Sequence, residues 1–347
     1  MRYRKLGNTD VEVSIICLGT MTFGAQNSEK EGHEQIDFAL SKGVNFLDTA
    51  EMYAVPSSKE TQGATEKIIG TWIYKNQSKR NQIVLASKVT GPSAGLSYIS
   101  KKPLGFSKDR MTEALEASLK RLQTGYIDLY QLHWPERKSN MFGQRDYTHT
   151  TEWSDNFEGI IDVLEGFKKE GKIRHYGLSN ETSWGVMKTQ AYANKKKIDG
   201  FITIQNPYNL INRTFEVNLS EVAIRENIPL LAYSPLGMGM LTGKYHQQEL
   251  DFENRLLKHK ARFPRYHGKH VFETAGKYIH LAREIGISPS QMALAFVNDR
   301  PFICSNIIGA SSLSQLEENI DSVNVHLDDS IIKEINSIHK INPSPAP

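Results

Sequence analysis

Short apolar runs alternate with stretches of helical periodicity along the whole chain, which has 347 residues. Eight runs have the length of strands, namely residues 14–18, 44–47, 83–87, 127–132, 173–178, 201–204, 228–233 and 304–308. Between them, helical spacing of apolar residues is clearest in residues 33–43, 109–123 and 157–171. In the last of these, the apolar stripe consists of Ile160, Ile161, Leu164 and Phe167. Apolar strands that alternate with helices are typical of parallel strands buried on both faces.

Eight such units predict an α/β fold, a (β/α)₈ TIM barrel, with residues 1–347 as a single domain and long loops at the C-terminal face. A doubly wound sheet is the alternative. That fold usually needs fewer strands and often carries a phosphate-binding loop after its first strand. The segment GTMTFG (19–24) at that place is not a dinucleotide-binding fingerprint, so the barrel is favoured.

Every predicted strand ends in polar or glycine residues. In chain order these are Gly19 and Thr20, Asp48, Lys88, His133, Ser179 and Asn180, Gln205, Tyr233 and Ser234, and Gly309 with Ser311. Any one of them has a simple structural explanation, because strands commonly end at polar residues. In a barrel, however, all eight ends meet at the C-terminal face, where active sites lie. The set as a whole therefore predicts an active site.

Composition narrows the possible functions. Apolar residues make up 39% and charged residues 23% of the chain, and the formal charge is only +3, so neither nucleic-acid nor membrane-surface binding is predicted. The two cysteines, Cys17 and Cys304, lie in apolar runs and are expected to be buried thiols, which suits a reducing compartment. The N-terminus lacks the apolar region of a signal peptide, and no apolar run reaches the roughly 18 residues of a membrane span. We expect a cytoplasmic protein.

One glycine-rich segment resembles a nucleotide-binding motif without matching it. In GMGMLTG (237–243), the third glycine comes one residue too late for G-x-G-x-x-G, and the segment follows the seventh strand rather than the first. A flexible loop whose backbone amides approach a phosphate is still plausible there. Lys244, Arg262 and Arg265 follow as possible cations for a phosphate-bearing ligand.

Four strand-end residues suggest a proton-transfer chemistry: Asp48, Tyr53, Lys88 and His133. A phenol is a weak acid at neutral pH, and a neighbouring ammonium lowers its pKa. Asp48 would keep Lys88 charged, and His133 would add a hydrogen-bond donor or proton relay. Such a group can protonate an oxygen that gains negative charge, as when hydride from a nicotinamide cofactor reduces a carbonyl.

The order of these residues resembles that of the aldo-keto reductase family over about residues 2 to 340. The motifs that carry the resemblance are DTAEMY (48–53), LASK (85–88), DLYQLHWP (128–135), GLSN (177–180), IQNPYN (204–209), AYSPLGMGMLTGKY (232–245) and IIGASSLSQLEEN (307–319). Within the family, ETQGATE (60–66) and IQNPYNLINRTFE (204–216) are similar to the Tas-type bacterial reductases, which are related to potassium-channel β subunits.

The resemblance implies an NADP(H)-dependent oxidoreductase that reduces aldehydes or ketones to alcohols, with the proton coming from Tyr53 and no metal involved. It implies that Ser179, Asn180 and Gln205 hold the nicotinamide carboxamide and that Tyr233 stacks on the ring. The other implied contacts with NADPH or NADP⁺ are Gly19, Thr20, Met21, Ser234, Pro235, Leu236, Gly237, Gly239, Lys244, Gly309, Ser311, Gln315, Glu318 and Asn319. Arg262 is our candidate for the 2′-phosphate.

Substrate contacts are expected from Phe23, Met52, Trp134 and Tyr208, with Met21 beside them, although simple packing explains an apolar cluster equally well. Two unusually long connections, residues 135–156 and about 246–267, are expected to cover the substrate and the cofactor. The partner is then a small carbonyl compound. Oligomeric state is open, and a monomer is one possibility.

Two other functions are consistent with the sequence. Lys88 at a strand end is also the pattern of a Schiff-base enzyme such as an aldolase. A protein that binds NADP(H) and reports redox state to a partner, with little turnover, is the second alternative. The complete set of four catalytic residues favours the reductase, because a sensor has no need of a proton donor.

Overall fold

The computed structural model describes residues 1–247, 249 and 254–347. Over these residues the chain forms ten strands: β1 (Tyr3–Lys5), β2 (Glu12–Ser14), β3 (Ile16–Gly19), β4 (Phe46–Asp48), β5 (Val84–Val89), β6 (Ile127–Leu132), β7 (Ile173–Ser179), β8 (Ile204–Pro207), β9 (Leu230–Tyr233) and β10 (Ile303–Ile308).

The same residues form eleven α-helices: α1 (Glu29–Ser41), α2 (Ala64–Lys75), α3 (Lys108–Leu122), α4 (Phe157–Lys169), α5 (Ser183–Lys196), α6 (Leu219–Arg225), α7 (Arg255–Lys258), α8 (Lys269–Glu284), α9 (Pro289–Asn298), α10 (Leu313–Asp321) and α11 (Asp329–Ile341). Short 3₁₀ helices lie at Gln77–Gln82, Ala94–Ile99, Thr214–Glu216, Gly237–Thr242, Lys244–His246, Lys260–Arg262, Pro264–Tyr266 and Ser322–Asn324.

Strands β3 to β10 close into a parallel barrel in chain order, with β10 completing the circle against β3. Each of the eight predicted runs overlaps one of these strands, so the TIM-barrel prediction is confirmed. The prediction missed the antiparallel pair β1 and β2. Leu6 and Val13 from this hairpin pack into one apolar cluster with barrel residues such as Phe46, Leu129 and Leu231.

The helices bury the faces that their sequences indicate. In α4, Ile160, Ile161, Leu164 and Phe167 are all buried, as the predicted stripe requires. Burial of a large apolar side chain stabilises the fold by about 1.5–3 kcal/mol. The start of α1 is set by a capping box, in which Ser28 accepts from the Glu31 amide and the Glu31 carboxylate accepts from the Ser28 amide.

Strand periodicity explains why the polar strand ends point into the barrel. Successive side chains of a strand alternate between its faces, so residues two apart share a face. Val84 and Ala86 belong to the apolar cluster inside the barrel, and Lys88 continues their face. By the same spacing, Asp48 follows Phe46 and Gln131 follows Leu129. An apolar floor therefore supports a polar layer at the C-terminal mouth.

Both cysteines are buried and free. Over the described part of the chain, none of the helices combines the length and the apolar character needed to cross a lipid bilayer.

Candidate active site

A buried ion pair lies at the centre of the polar layer. The Lys88 Nζ is 2.6 Å from the Asp48 Oδ2, and the two side chains are 0% and 4% exposed. Lys88 also donates to the Thr49 carbonyl over 2.8 Å. The second carboxylate oxygen of Asp48 accepts from the amides of Gln205, at 2.8 Å, and Gln131, at 3.3 Å. These bonds satisfy both charges, which a buried pair requires in order to be stable.

Tyr53 lies above this pair. The Lys88 Nζ is 5.0 Å from the centre of the Tyr53 ring, and the His133 ring lies edge-on to it with centroids 5.8 Å apart. The ring packs against an apolar cluster that includes Ala50, Met52, Leu96 and Trp134. The structure therefore brings together the four residues predicted from the strand ends.

Burial and charge act in opposite directions on the Tyr53 phenol. Burial raises its pKa, the Lys88 cation lowers it, and the net pKa lies above its ordinary value. The lowering expected from the sequence is present but smaller than the effect of burial. Burial also opposes the charge on Lys88, but Asp48 and Tyr53 outweigh it and raise the Lys88 pKa. Tyr53 is thus protonated and Lys88 charged at neutral pH.

His133 is a neutral imidazole in this setting. Burial, followed by the Lys88 charge, holds its pKa well below the usual value. Its Nδ1 is buried and has no hydrogen-bond partner among the described residues. At neutral pH this side chain is a hydrogen-bond donor or acceptor rather than an acid.

The predicted nicotinamide residues lie beside the ion pair. The Tyr233 hydroxyl donates to the Asn180 Oδ1 over 2.7 Å, and the Asn180 Nδ2 donates to the His133 carbonyl over 2.9 Å. Ser179 donates to the Gln205 carbonyl over 2.8 Å. Asn180 has a φ of +55°, a conformation that asparagine tolerates better than most residues. This bonding network joins the ends of β6, β7, β8 and β9.

The glycine-rich loop after β9 has a strained and compact backbone. Gly237 and Gly239 have positive φ, as do the neighbouring Ser234 and Met238. A Cβ on Gly239 would lie 2.6 Å from the Lys244 Cε and 3.0 Å from its Nζ. The Lys244 ammonium therefore lies directly over a bare stretch of backbone. Pro235 and Leu236 form the turn that leads into this loop from β9.

The remaining predicted cofactor residues lie at the ends of β3 and β10 and in α10. Gly19 packs so closely that an added Cβ would come within 2.7 Å of Ile307. At the end of β3, Thr20 donates to the Asp48 carbonyl, and the Met21 carbonyl accepts from the Val55 amide. After β10, Ser311 donates to the Gln315 side chain, and Asn319 donates to the Gly309 carbonyl. Glu318 accepts from Ser288.

The predicted substrate residues separate into two pairs. Met52 and Trp134 pack in the apolar cluster beside Tyr53. Phe23 and Tyr208 are instead fully buried in the main core, where Tyr208 stacks on Phe296 and donates to Glu216. Simple packing, the explanation that the sequence left open, accounts for this second pair.

Arg262 is exposed, and its charge acts on Tyr98 in the connection after β5. The long connection to which it belongs contains Gln248 and residues 250–253, which lie outside the described residues. Within the part of the chain that the structure describes, no hydrogen bond or ion pair joins Arg262 to the predicted cofactor residues.

Sequence reasoning missed several residues of the site. Gln131 had a readable signal, since it is polar within the apolar run IDLYQL. Glu51 and Arg110 form a buried ion pair, 2.5 Å between Oε1 and Nη2, beneath the loop that carries Tyr53. Arg255 is close enough for its charge to lower the Tyr53 pKa. No sequence signal separates it from its exposed basic neighbours. Among the described residues, no group of three or more His, Cys, Asp or Glu is arranged to hold a metal ion.

Comparison with known proteins agrees with this geometry. The model of the aldo/keto reductase family matches residues 15–340. The chain belongs to this family. It is 43% identical to the protein tas of Escherichia coli over the full length of both chains. It is 33% identical to the uncharacterized oxidoreductase YrpG of Bacillus subtilis, with 97% of this chain and 96% of the relative covered.

A more distant relative is a probable voltage-gated potassium channel subunit beta of Arabidopsis thaliana, 28% identical over 94% of this chain and 92% of the relative. These matches confirm the family resemblance and its Tas-type branch. As an aldo/keto reductase with the barrel of that family, the protein is an oxidoreductase.

Proposed function

We propose that this aldo/keto reductase uses NADPH to reduce an aldehyde or ketone to an alcohol, with Tyr53 as the proton donor. The observation that carries the proposal is the placement of a buried, protonated phenol over the Lys88–Asp48 pair, with a neutral imidazole at its edge. Few other reactions need that combination, because it protonates an oxygen without offering a strong base or a nucleophile.

Each side chain then has a distinct role. Tyr53 gives its proton to the carbonyl oxygen as negative charge develops there. Lys88 stabilises the phenolate that is left, and Asp48 keeps Lys88 charged and in place. The neutral His133 orients the carbonyl by a hydrogen bond. When bound, the nicotinamide supplies the hydride that reaches the carbonyl carbon.

The residues around the mouth suit a nicotinamide dinucleotide phosphate. The Asn180 amide bonds the Tyr233 hydroxyl and the Gln205 amide bonds Asp48, which supports a nicotinamide site next to the ion pair. The bare backbone at Gly239 beneath Lys244 suits a phosphate. A relative from Schizosaccharomyces pombe, the aldo-keto reductase yakc [NADP(+)], is named for this cofactor and is 28% identical over 96% of this chain and 89% of its own length.

Tyr53→Phe tests the proposal directly. It removes the proton donor and keeps the ring, so we expect kcat for carbonyl reduction to fall by roughly 10²- to 10⁴-fold. The Kd for NADPH should change little, because the hydroxyl is assigned to the substrate oxygen. NADPH consumption over a panel of aldehydes, ketones and quinones gives kcat, and quenching of protein fluorescence gives Kd. A protein that does not bind NADPH, or a variant with full activity, contradicts the proposal.

Two observations bear on the alternatives. One relative is named as a probable channel subunit rather than as an enzyme, so a redox-sensing module is the second candidate. It predicts tight NADPH binding with negligible turnover of any carbonyl in the same panel. The Schiff-base enzyme is disfavoured, because Lys88 is a buried cation bonded to Asp48 and the Thr49 carbonyl, and its pKa is raised. A Schiff-base lysine must lose its proton to attack a carbonyl. Borohydride trapping of a substrate on Lys88 would reverse this judgement.

A further inference from the structure

Two half-buried arginines near the mouth have no acidic partner among the described residues, unlike the three buried arginines. Arg80, Arg110 and Arg213 are each paired with a carboxylate, from Asp128, Glu51 and Glu216 respectively. Within the described residues, Arg255 and Arg265 form no ion pair, and the groups that act on their charges are tyrosines. The Arg255 Nε and the Arg265 Nη1 are buried without a hydrogen-bond partner there. Such groups are costly unless a ligand pairs with them.

Arg265 lies at the nicotinamide end of the site. Its guanidinium carbon lies 5.0 Å from the centre of the Tyr266 ring, and Tyr266 and Tyr233 both raise the Arg265 pKa. Tyr233 in turn bonds Asn180, which bonds the His133 carbonyl. A Cβ on Gly143 would lie 2.9 Å from the Arg265 Cβ, so the long connection of residues 135–156 packs against this arginine. Arg265 thus joins the end of β9 to the loop that overhangs Tyr53.

Arg255 reaches the same region from the other side. Its Nη2 donates to the Val55 carbonyl over 2.8 Å, two residues after Tyr53. Burial lowers its pKa to about 10, and an anion beside it would offset that cost. The phosphate-binding features described above, the Gly239 backbone and Lys244, belong to a different stretch of the loop.

The outer mouth is also positively charged. A cavity of about 1080 Å³ opens beside the apolar cluster around Tyr53 and is lined by Lys59, Tyr98, Lys101, Lys102 and Leu104, among others. Glu113 also lines this cavity and pairs with Lys102, so Lys59 and Lys101 leave the lining with a net positive charge. A cleft with a net charge of one sign raises the local concentration of an oppositely charged ligand.

We propose that the carbonyl substrate of this enzyme carries a carboxylate and that Arg265 is the residue that selects it. The inference rests on the proposed function and adds the substrate class to it. The planar guanidinium matches a carboxylate in geometry, and its unpartnered Nη1 supplies a free donor. The Arg255 charge strengthens the positive field at the phenol.

The test compares two substrates that differ in charge and share the reacting group, 4-formylbenzoate and its methyl ester. The wild type should reduce the acid with the higher kcat/KM. Arg265→Met should lower kcat/KM for the acid by roughly 10- to 100-fold more than for the ester, because a hydrogen bond to a charged group is lost. Arg265→Lys keeps the charge without the planar fork and should recover part of the loss.

Lys260→Met is the matched control, since Lys260 is an exposed cation of the same segment. This variant should leave the ratio of kcat/KM for the acid to kcat/KM for the ester unchanged. The Kd for NADPH and the urea midpoint are measured for each variant, so that loss of cofactor or of folding is seen separately.

Equal reduction of acid and ester by the wild type, or an equal loss for both in Arg265→Met, overturns the inference while leaving carbonyl reduction intact. A weaker Kd for NADPH that matches the loss on the acid assigns Arg265 to the cofactor and overturns it too. If the wild type reduces neither of these two substrates and none of the carbonyl compounds in the panel, the proposed function itself is overturned.

Discussion

Lys88 shows how a single residue sets the acidity of the site. It is fully buried, and its charge is held by Asp48 and by the Thr49 carbonyl. Because its cation opposes the effect of burial on Tyr53, it keeps the phenol from becoming a still weaker acid. The charge of this one side chain therefore affects how readily the proton leaves the Tyr53 hydroxyl.

This role predicts a pH effect for Lys88→Met. Reduction needs a protonated Tyr53, so the wild-type rate should fall only as pH rises through the phenol pKa, which lies above its ordinary value of 10.0. Removing the cation raises that pKa further. We expect a lower kcat at neutral pH and an alkaline limb displaced to higher pH, measured as kcat against pH with a nitrobenzaldehyde.

Lys88→Met also leaves Asp48 unpaired, so the double variant Asp48→Asn with Lys88→Met is the control. It removes the uncompensated carboxylate while still lacking the cation. A double variant with wild-type kcat would contradict the role given to Lys88.

At the scale of elements, the loop from β4 to α2 is anchored by Glu51. Its carboxylate accepts from Arg110 in α3 over 2.5 Å and from the Thr90 amide over 3.0 Å. Its amide donates to the Lys88 carbonyl over 3.1 Å, and its carbonyl accepts from Gln62. Both charged side chains are almost fully buried. These bonds fix the path of the chain between Asp48 and Tyr53.

Glu51→Gln should therefore destabilise the protein by about 3–5 kcal/mol, because Arg110 is left buried without a counter-charge. Combining it with Arg110→Met removes the unpaired cation and should restore part of the stability. Urea unfolding measures both variants. If the double variant is no more stable than Glu51→Gln alone, the unpaired charge is not the cause of the loss.

The elements themselves were largely predictable. Barrel strands buried on both faces are apolar almost throughout, which is a strong local signal. The hairpin of β1 and β2 gave little signal, because each strand has only three residues. The Glu51–Arg110 pair was not predictable, since it joins residues 59 positions apart.

At the scale of the whole molecule, the C-terminal tail meets two distant loops. The Ala346 amide donates to the Ile211 carbonyl over 3.0 Å, and the Ala346 side chain is buried. Arg145, in the connection that overhangs the mouth, donates to the Pro345 carbonyl over 2.6 Å. The Arg213 amide donates to the Ser344 hydroxyl over 2.9 Å. The tail therefore helps to hold the overhanging connection.

Removal of residues 343–347 should raise KM for carbonyl substrates several-fold and change kcat little, because the hydrogen bonds described for the tail go to Ile211, Arg145 and Arg213 and not to the four proposed catalytic residues. Steady-state kinetics with NADPH in excess measures both constants. Arg145→Gln, which removes only the bond to Pro345, should give part of the same rise. An unchanged KM in the truncated protein would show that the tail does not position the loop.

The sequence by itself determined the barrel, the order of the strand-end residues and the four residues proposed to donate the proton. Apolar periodicity and strand direction are local properties, and in a barrel they place all strand ends at one face. Only the tertiary structure decided which polar groups meet. It paired Gln131 and Gln205 with Asp48, buried Phe23 and Tyr208 in the core, and brought Arg265 to Tyr233. It also decided the sign of the Tyr53 pKa shift, because burial depends on packing from many parts of the chain.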